Sequence, residues 1–421
     1  MGDSGKGRGK GRRGAAIAAT SFALILAACS HAPRTASPAA SQSVVLISID
    51  GFRADYLDQY APPHLLDIAR RGVRARWLQP ATPTLTFPNH YSIATGLYPA
   101  HHGIVNNHFR DPVDSAWFHY NDSMLVRQSR WWGGEPLWVT AEKQGVRAGS
   151  YFWVGSEASI EGVRPTFSKH FRELPPGAER ADTVLAWLTR PDSLRVRLAL
   201  LYFSAVDHMA HDSGPGSPAV HAAILGVDSA IGRLVGGIEA AGLGDRVNVI
   251  VVSDHGMAPT DSAHAIVVDD YIDPARYEAA SLSPFLAVRP LDGNIPAALA
   301  ALRRIPHLTV FPIDSTPAYW HYRSNPRMAP IVGVFDQGWV ANTRDFFRRH
   351  PPRKHGGEHG YDVSVPAMHA LFVAEGPAFR HGHLVPPFGN IHVYDLICRI
   401  LGLAPAPNDG SPDSTRALLA P

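Results

Sequence analysis

The sequence has little cysteine and little charge, and its N-terminal apolar run is short. Only Cys29 and Cys398 are cysteines among 421 residues, and 18% of the residues are charged. Cys398 lies in an apolar helix-like stretch, 393–403, where we expect an inert core residue. The apolar run 15–28 is too short to span a bilayer as a mature helix. The low charge and 45% hydrophobic content predict a globular protein with a sizeable core.

The basic charge is concentrated at the N-terminus. Five of the 39 Lys and Arg residues and one of the 37 Asp and Glu residues precede Cys29. The remaining chain has 34 basic and 36 acidic residues, a formal charge of −2 rather than +2. A near-neutral chain predicts no specific nucleic-acid-binding surface.

Residues 1–28 are typical of a targeting segment. A basic stretch to Arg13 precedes the apolar run, which ends in Leu26-Ala27-Ala28-Cys29. This phrase resembles a bacterial lipobox, which implies cleavage before Cys29, lipidation of its thiol and a membrane anchor. Ser30 resembles the outer-membrane sorting preference, so we expect a periplasm-facing lipoprotein of the cell envelope. The alternative is an ordinary secretory signal with an incidental cysteine.

Strand-like and helix-like segments alternate after a predicted tether, 29–43, rich in Ala, Ser and Pro. Short apolar runs rich in branched residues are expected in strands buried on both faces of a parallel sheet. They are followed by helical patterns, so the sequence predicts an α/β fold over 44–403 with a largely parallel central sheet flanked by helices. The predicted strands are 44–49, 198–203, 247–252 and 370–374, and the predicted helices are 63–71, 181–188, 219–241 and 295–304.

The stretch from about 269 to 353 breaks this alternation. It contains many prolines and aromatic residues, with alternating polar segments such as 308–313 and 332–340. We therefore expect a smaller inserted α+β subdomain beside the site, followed after the main domain by a C-terminal tail, 404–421.

Potential metal ligands follow the predicted strands. Asp50 ends the first strand, and the Asp254-His255 pair ends the run 247–252. Open α/β sheets place their sites at the carboxyl ends of strands, so these side chains are expected to lie close together. Alone, Asp50 before a glycine could equally be a turn residue.

A second ligand set lies further along the chain. Asp207 and His211 are four residues apart, on one face if the segment is helical, and this spacing suits two ligands of one zinc ion. His359, among glycines, is the predicted third ligand, with His355 as the second choice. The two sets predict a hydrolase with two metal ions.

Thr86 is the candidate nucleophile. It precedes Phe87-Pro88, and proline suits the first turn of a helix, so Thr86 is expected at or near an N-cap. The hydroxyl could simply cap the helix. It could instead bind a metal and attack a phosphate that faces the positive helix N-terminus.

Together these phrases closely resemble the nucleotide pyrophosphatase/phosphodiesterase family of the alkaline phosphatase superfamily. The resemblance runs from about 44 to 403. It is carried by six motifs in order, at Asp50–Arg53, Thr86–Tyr91, Thr95–Pro99, His102–Asn107, Asp207–His211 with Gly214-Pro215, and Asp254–Met257 with His359-Gly360.

The resemblance implies an alkaline-phosphatase-like core with two zinc ions. One ion would be held by Asp207, His211 and His359, and the other by Asp50, Asp254 and His255 with Thr86 as fourth ligand. Thr86 would form a covalent phospho-threonine intermediate while Asn107 donates to a phosphate oxygen. Phe87 and Tyr202 occupy positions that resemble the family's base-stacking pair.

The predicted function is therefore cleavage of nucleotide phosphodiester or pyrophosphate bonds to nucleoside 5′-monophosphates. The rival is the same chemistry on a lipid-headgroup diester, a phosphonate or a monoester. A third hypothesis is an inactive surface lipoprotein. Sulfatase activity is disfavoured because Thr86-Phe87-Pro88 lacks the Cys or Ser that becomes formylglycine. Family members often have acidic residues where this chain has Ser204-Ala205-Val206, a departure that bears on specificity.

Overall fold

The structure, a computed structural model, describes residues 42–173 and 175–421 together with Met1. The predicted signal segment, most of the tether and Cys29 lie outside the described residues. The strands are β1 (Ser43–Ile49), β2 (Val73–Ala75), β3 (Leu78–Gln79), β4 (His108–Arg110), β5 (Trp117–His119), β6 (Ala148–Tyr151), β7 (Phe167–Lys169), β8 (Leu198–Phe203), β9 (Val247–Val252), β10 (Ala258–Thr260), β11 (Ala265–Val267), β12 (Tyr277–Ser281), β13 (Phe285–Pro290), β14 (Leu308–Pro312), β15 (Ile331–Phe335), β16 (Val340–Asn342), β17 (Gly356–Glu358), β18 (Phe372–Glu375), β19 (His383–Val385) and β20 (Phe388–Gly389).

The α-helices include the four predicted from the sequence, each within four residues of the predicted bounds. They are α1 (Tyr56–Tyr60), α2 (Pro63–Arg71), α3 (Thr86–Thr95), α4 (Pro99–His102), α5 (Ser123–Val126), α6 (Leu137–Lys143), α7 (Gly177–Leu188), α8 (Ala205–Ser213), α9 (Pro218–Ala240), α10 (Ile295–Leu302), α11 (Arg344–Arg349) and α12 (His392–Leu401).

The central sheet has eight strands in the order β19-β2-β18-β9-β1-β8-β6-β7. Strand β1 is parallel to both neighbours, β8 and β9, and β6 is parallel to β7 and β8. Strand β18 is antiparallel to β9 and to β2. The sheet is therefore largely parallel but mixed. The run at 370–374 was expected to form a parallel strand, but β18 is antiparallel to both neighbours. The sequence could not indicate this direction, because a buried apolar run has the same composition in either direction.

Helices cover both faces of the sheet, which explains why its strands are continuous apolar runs. Val44 and Leu46 of β1 pack into a core with α3, α6 and α12, whereas Val45, Ile47 and Ile49 pack into a second core with α2, α7 and α9. The central strands β1, β8 and β9 are thus buried on both sides, and their carboxyl ends are left for polar residues.

Helix α9 is long and apolar enough to cross a membrane by length and composition alone. In the structure it packs against α2, α7 and α8. Ile224, Ile231, Leu234 and Ile238 of this helix are buried in the second core. Its apolar character is therefore explained by its place in the core.

The region 269–353 contains a separate four-stranded antiparallel sheet in the order β12-β13-β15-β14. Its own apolar core includes Leu286, Val288, Leu302 and Ile331. The C-terminal tail packs against α12 through a 3-10 helix, Pro412–Leu418. Cys398 is buried in α12, and burial raises the pKa of its thiol to about 12.

Candidate active site

The polar side chains predicted from the sequence meet at the carboxyl ends of three adjacent strands. Asp50 follows β1, the Asp254-His255 pair follows β9, and Asp207 lies in α8, which follows β8. Because β8, β1 and β9 are neighbours in the sheet, their ends converge although the residues are up to 205 positions apart in sequence. The strand order therefore creates the site.

The first ligand group consists of Asp50, Asp254 and His255. His255 Nε2 lies 3.0 Å from Asp254 Oδ2 and 3.5 Å from Asp50 Oδ1. All three side chains are almost fully buried. The backbone N–H of Gly51 donates to Asp254 Oδ1 at 3.2 Å, which leaves Oδ2 toward the group.

The second ligand group consists of Asp207, His211 and His359. Asp207 lies 3.5 Å from His211 Nε2 and 3.8 Å from His359 Nε2. The rings of His359 and His255 stack with centroids 3.7 Å apart, so the two groups adjoin. Potential ligand atoms of Asp207, His255 and His359 lie within 4.8 Å of one another, and His211 Nε2 approaches this set through Asp207.

Gly51 allows the two groups to approach. Its φ is +66°, and a Cβ there would lie 2.9 Å from Asp207 Oδ1. A side chain at this position would be strained and would collide with Asp207. The glycine after Asp50 is therefore required by packing as well as by the turn.

The carboxylates have the unsatisfied oxygens expected of metal ligands. Asp50 Oδ1, Asp207 Oδ1 and Asp254 Oδ2 are buried without a hydrogen-bond partner among the described residues. A buried unpaired carboxylate oxygen is costly unless a cation offsets its charge. Burial, with Asp254 and Asp207 nearby, raises the pKa of Asp50 well above its usual value. The residues present therefore fit metal ions.

The three histidines share the tautomer that leaves Nε2 free to bind a metal. Nδ1 of His359 lies 2.8 Å from the Thr84 carbonyl oxygen, Nδ1 of His211 lies 2.8 Å from that of Gly357, and Nδ1 of His255 lies 2.9 Å from that of Gly256. A carbonyl oxygen can only accept, so each Nδ1 carries the proton and each Nε2 retains its lone pair. This arrangement is typical of metal-binding histidines.

Thr86 is the first residue of α3, and Leu85 occupies the N-cap. Thr86 therefore lies near the N-cap, as expected, but one residue beyond the position that caps the helix. Its Oγ1 lies 3.3 Å from His255 Nε2, beside the first ligand group. Asn107 Oδ1 accepts from the Phe87 backbone N–H at 3.0 Å, so the Asn107 amide nitrogen can donate to another group.

A cavity of about 520 Å³ opens above these side chains. Its aromatic lining includes Phe87, Tyr120 and Phe171, of which Tyr120 is 43% and Phe171 47% exposed. Tyr202 also lines it, but this side chain is only 7% exposed and its hydroxyl lies 2.5 Å from Asp50 Oδ2. The predicted stacking residue is therefore mainly a neighbour of the ligand group.

The sequence did not indicate Phe171, Glu157 or Arg127, which also line the cavity. Glu157 accepts from Arg127 Nε at 2.9 Å and from the Phe171 N–H at 2.8 Å. These residues lie outside the recognised motifs. A charged residue beside an aromatic segment was the only available signal.

Two groups of carboxylates and imidazoles beside a hydroxyl are typical of metal-dependent hydrolases. Residues 44–362 match the family model for type I phosphodiesterase / nucleotide pyrophosphatase. The chain belongs to this family and is an enzyme of the nucleotide pyrophosphatase/phosphodiesterase class.

Individual relatives match over most of the chain. An uncharacterized pyrophosphatase/phosphodiesterase of Schizosaccharomyces pombe is 38% identical over 385 residues, 88% of this chain and 79% of the relative. Bis(5′-adenosyl)-triphosphatase of Xenopus laevis is 35% identical, over 90% of this chain and 81% of its own. A solved structure of murine ectonucleotide pyrophosphatase/phosphodiesterase 5, an inactive threonine-to-alanine variant in complex with AMP, has a TM-score of 0.84 at 34% identity, covering 90% of this chain and 100% of that one.

Proposed function

We propose that this enzyme cleaves phosphodiester or pyrophosphate bonds of nucleotides and releases nucleoside 5′-monophosphates through a phospho-threonine intermediate on Thr86. The observation that carries the proposal is the position of the Thr86 hydroxyl, 3.3 Å from His255 Nε2 where the two ligand groups adjoin. The relative that is inactive as a threonine-to-alanine variant and binds AMP supports it.

The proposed cofactor is two zinc ions. Asp207, His211 and His359 would hold one ion, and Asp50, Asp254, His255 and Thr86 the other. Carboxylate oxygens and imidazole nitrogens are ligands that zinc accepts. Bound zinc would supply Lewis acidity, lowering the pKa of a bound hydroxyl or water and offsetting phosphate charge.

The chain's own residues divide the reaction into two displacements. The Thr86 oxygen forms a bond to phosphorus as the bond to the leaving oxygen breaks, and water then cleaves the Thr86 ester. Asn107, whose Oδ1 is fixed by the Phe87 N–H, presents its amide to a phosphate oxygen. The N-terminus of α3 adds positive potential.

The nucleoside would bind against the aromatic wall of the cavity. Tyr120 and Phe171 are exposed rings there and Phe87 is half-buried. A π-face binds every base, so base selectivity is expected to be modest. Arg127 is the one arginine among the described lining residues, and Glu157 binds its Nε. A cavity with so few free cations favours a diester over a doubly charged monoester.

The test compares three substrates with the purified, zinc-loaded protein: p-nitrophenyl thymidine 5′-monophosphate, bis-p-nitrophenyl phosphate and p-nitrophenyl phosphate. We expect preference for the thymidine diester, and a loss of at least about 10³-fold in kcat for Thr86→Ala with the fold and zinc content retained. Equal or better turnover of the monoester would refute the nucleotide assignment. Full activity of Thr86→Ala would refute the nucleophile.

The lipid anchor at Cys29 and the envelope location are also part of the proposal. They are supported by residues 1–29 of the sequence alone. Metabolic labelling with a radioactive fatty acid, comparing the natural chain with Cys29→Ser, tests them. Equal labelling of the two chains would contradict the anchor.

A further inference from the structure

The phenol of Tyr202 makes a short, buried contact with Asp50. Its hydroxyl lies 2.5 Å from Asp50 Oδ2, and the two residues are only 7% and 2% exposed. A phenol O–H donates to a carboxylate oxygen, and charge-assisted bonds of this length are among the stronger hydrogen bonds in proteins. Among the described residues, Tyr202 is the one donor whose hydrogen bond reaches Oδ2 of Asp50.

The backbone holds both residues in place. In the parallel pair of β1 and β8, Ser48 lies opposite Tyr202, and Asp50 N donates to the Phe203 carbonyl at 2.9 Å. Arg180 Nη1 donates to the Tyr202 carbonyl at 2.9 Å. The strand register thus sets the phenol beside the carboxylate.

The other oxygen of Asp50 points to the first ligand group. Oδ1 is buried without a hydrogen-bond partner and lies 3.5 Å from His255 Nε2. Because Oδ2 is bound to the phenol, rotation of the carboxylate is restricted and Oδ1 stays with the group. We propose that Tyr202 is a positioning residue whose hydroxyl fixes Asp50 so that Oδ1 is available to the metal ion held with Asp254 and His255. This inference rests on the two-zinc site of the proposed function.

The test uses Tyr202→Phe, which keeps the ring and removes only the hydroxyl. The matched control is Tyr120→Phe, because Tyr120 lines the same cavity and its hydroxyl has no hydrogen-bond partner among the described residues. Zinc affinity is measured by competition with a chromophoric chelator, and the fold by circular dichroism. Loss of such a supporting hydrogen bond weakens metal binding about 10- to 100-fold.

We expect Tyr202→Phe to weaken the binding of one of the two zinc ions by that factor. Tyr120→Phe should change the affinity for neither ion. Excess zinc should restore most of the kcat of Tyr202→Phe toward the thymidine diester, which a stacking role would not predict. Unchanged zinc affinity in a folded Tyr202→Phe would overturn the inference and leave the two-zinc site standing. A natural chain that binds no zinc would overturn both.

A double-mutant cycle with Asp50→Asn separates a direct effect from a general one. If Tyr202 acts through Asp50, adding Tyr202→Phe to Asp50→Asn should cause less than a 2-fold further loss of zinc affinity. An equal loss in both backgrounds would show that the phenol acts elsewhere and would overturn the inference.

Discussion

Glu157 accepts a hydrogen bond of 2.8 Å from the backbone N–H of Phe171, and both residues line the cavity. The same carboxylate accepts from Arg127 Nε at 2.9 Å and from His170 Nδ1 at 2.8 Å. Although burial opposes it, these donors hold the pKa of Glu157 below its usual value. The Glu157 carboxylate therefore links Arg127 and Phe171 in the cavity lining. It fixes the position of Phe171, the most exposed aromatic ring of that lining.

Glu157→Gln should weaken nucleoside binding without impairing the chemistry. A hydrogen bond to a charged group is worth about 1.5–3 kcal/mol, so we expect KM for p-nitrophenyl thymidine 5′-monophosphate to rise on the order of 10-fold. Methyl p-nitrophenyl phosphate has the same leaving group but no nucleoside, and its kcat/KM should be unchanged.

The matched control for that variant is Glu161→Gln. Glu161 pairs with Lys143 on the surface and is 46% exposed, away from the cavity lining. Its kinetics should equal those of the natural chain. Equal losses on both substrates with Glu157→Gln would contradict a role confined to the nucleoside.

Asn107→Asp should retain the fold and lose transition-state stabilisation. An aspartate still accepts from the Phe87 N–H but replaces the amide donor with a negative oxygen. Removal of one such donor costs about 10²- to 10³-fold in kcat. Asn121→Asp places the same charge in the same cavity and should cost far less. Similar losses in the two variants would assign the effect to charge alone.

Zinc removal should destabilise the protein more at alkaline than at acidic pH. Burial and the neighbouring carboxylates raise the pKa of Asp50, and despite burial the carboxylates raise those of His211 and His255. Groups with a raised folded pKa stabilise the ion-free fold at low pH, and this stability is lost as pH rises through that pKa. Two shifts oppose this trend: that of Asp254, which acts below its usual value, and that of His359, whose pKa burial lowers and which acts below 6.5. The trend is therefore expected above pH 6.5.

The measurement is the midpoint of thermal unfolding with zinc and with EDTA between about pH 6.5 and about pH 8. The midpoint difference between the two should grow with pH. A difference that is constant or that shrinks toward pH 8 would refute the pairing of these groups with a cation.

His102 should make the folded protein sensitive to acid. Burial lowers its pKa to about 3, and the ring is held by the Ile104 N–H at Nδ1 and by Ser92 Oγ at Nε2. A lowered folded pKa gives stability that is present above the ordinary value of 6.5 and is lost as pH falls toward 3. The loss is about 1.4 kcal/mol per pH unit in that window.

His102→Gln offers an acceptor and a donor but does not titrate. It should lower the free energy of unfolding at pH 7 and flatten its slope between about pH 6.5 and about pH 5, as measured by urea unfolding. Parallel slopes for His102→Gln and the natural chain would refute this account.

The sequence predicted the parts of the site that share a strand end. Asp50 and the Asp254-His255 pair follow apolar runs, and parallel strands bring their carboxyl ends together. The direction of β18 could not be predicted, because a strand buried on both faces has the same apolar composition whether it is parallel or antiparallel to its neighbours. The contact of Tyr202 with Asp50 depends on the register of β1 and β8, which no local pattern encodes.

Phe171 and Glu157 escaped prediction for a different reason. Both lie outside regular strands and helices, and neither has the flanking periodicity that identifies an element. Their importance comes from the cavity they border, which forms only when β6, β7 and α5 are assembled.

The stacked pair of His255 and His359 has a consequence for synthesis of the chain. His359 follows the whole antiparallel sheet of region 269–353, so a ribosome must translate 358 of the 421 residues before it adds that imidazole. Until then the growing polypeptide carries the Thr86 hydroxyl and the Asp50 group without the neighbouring imidazole. Every prematurely terminated product that lacks His359 therefore also lacks one ring of the stacked pair and part of the second ligand group.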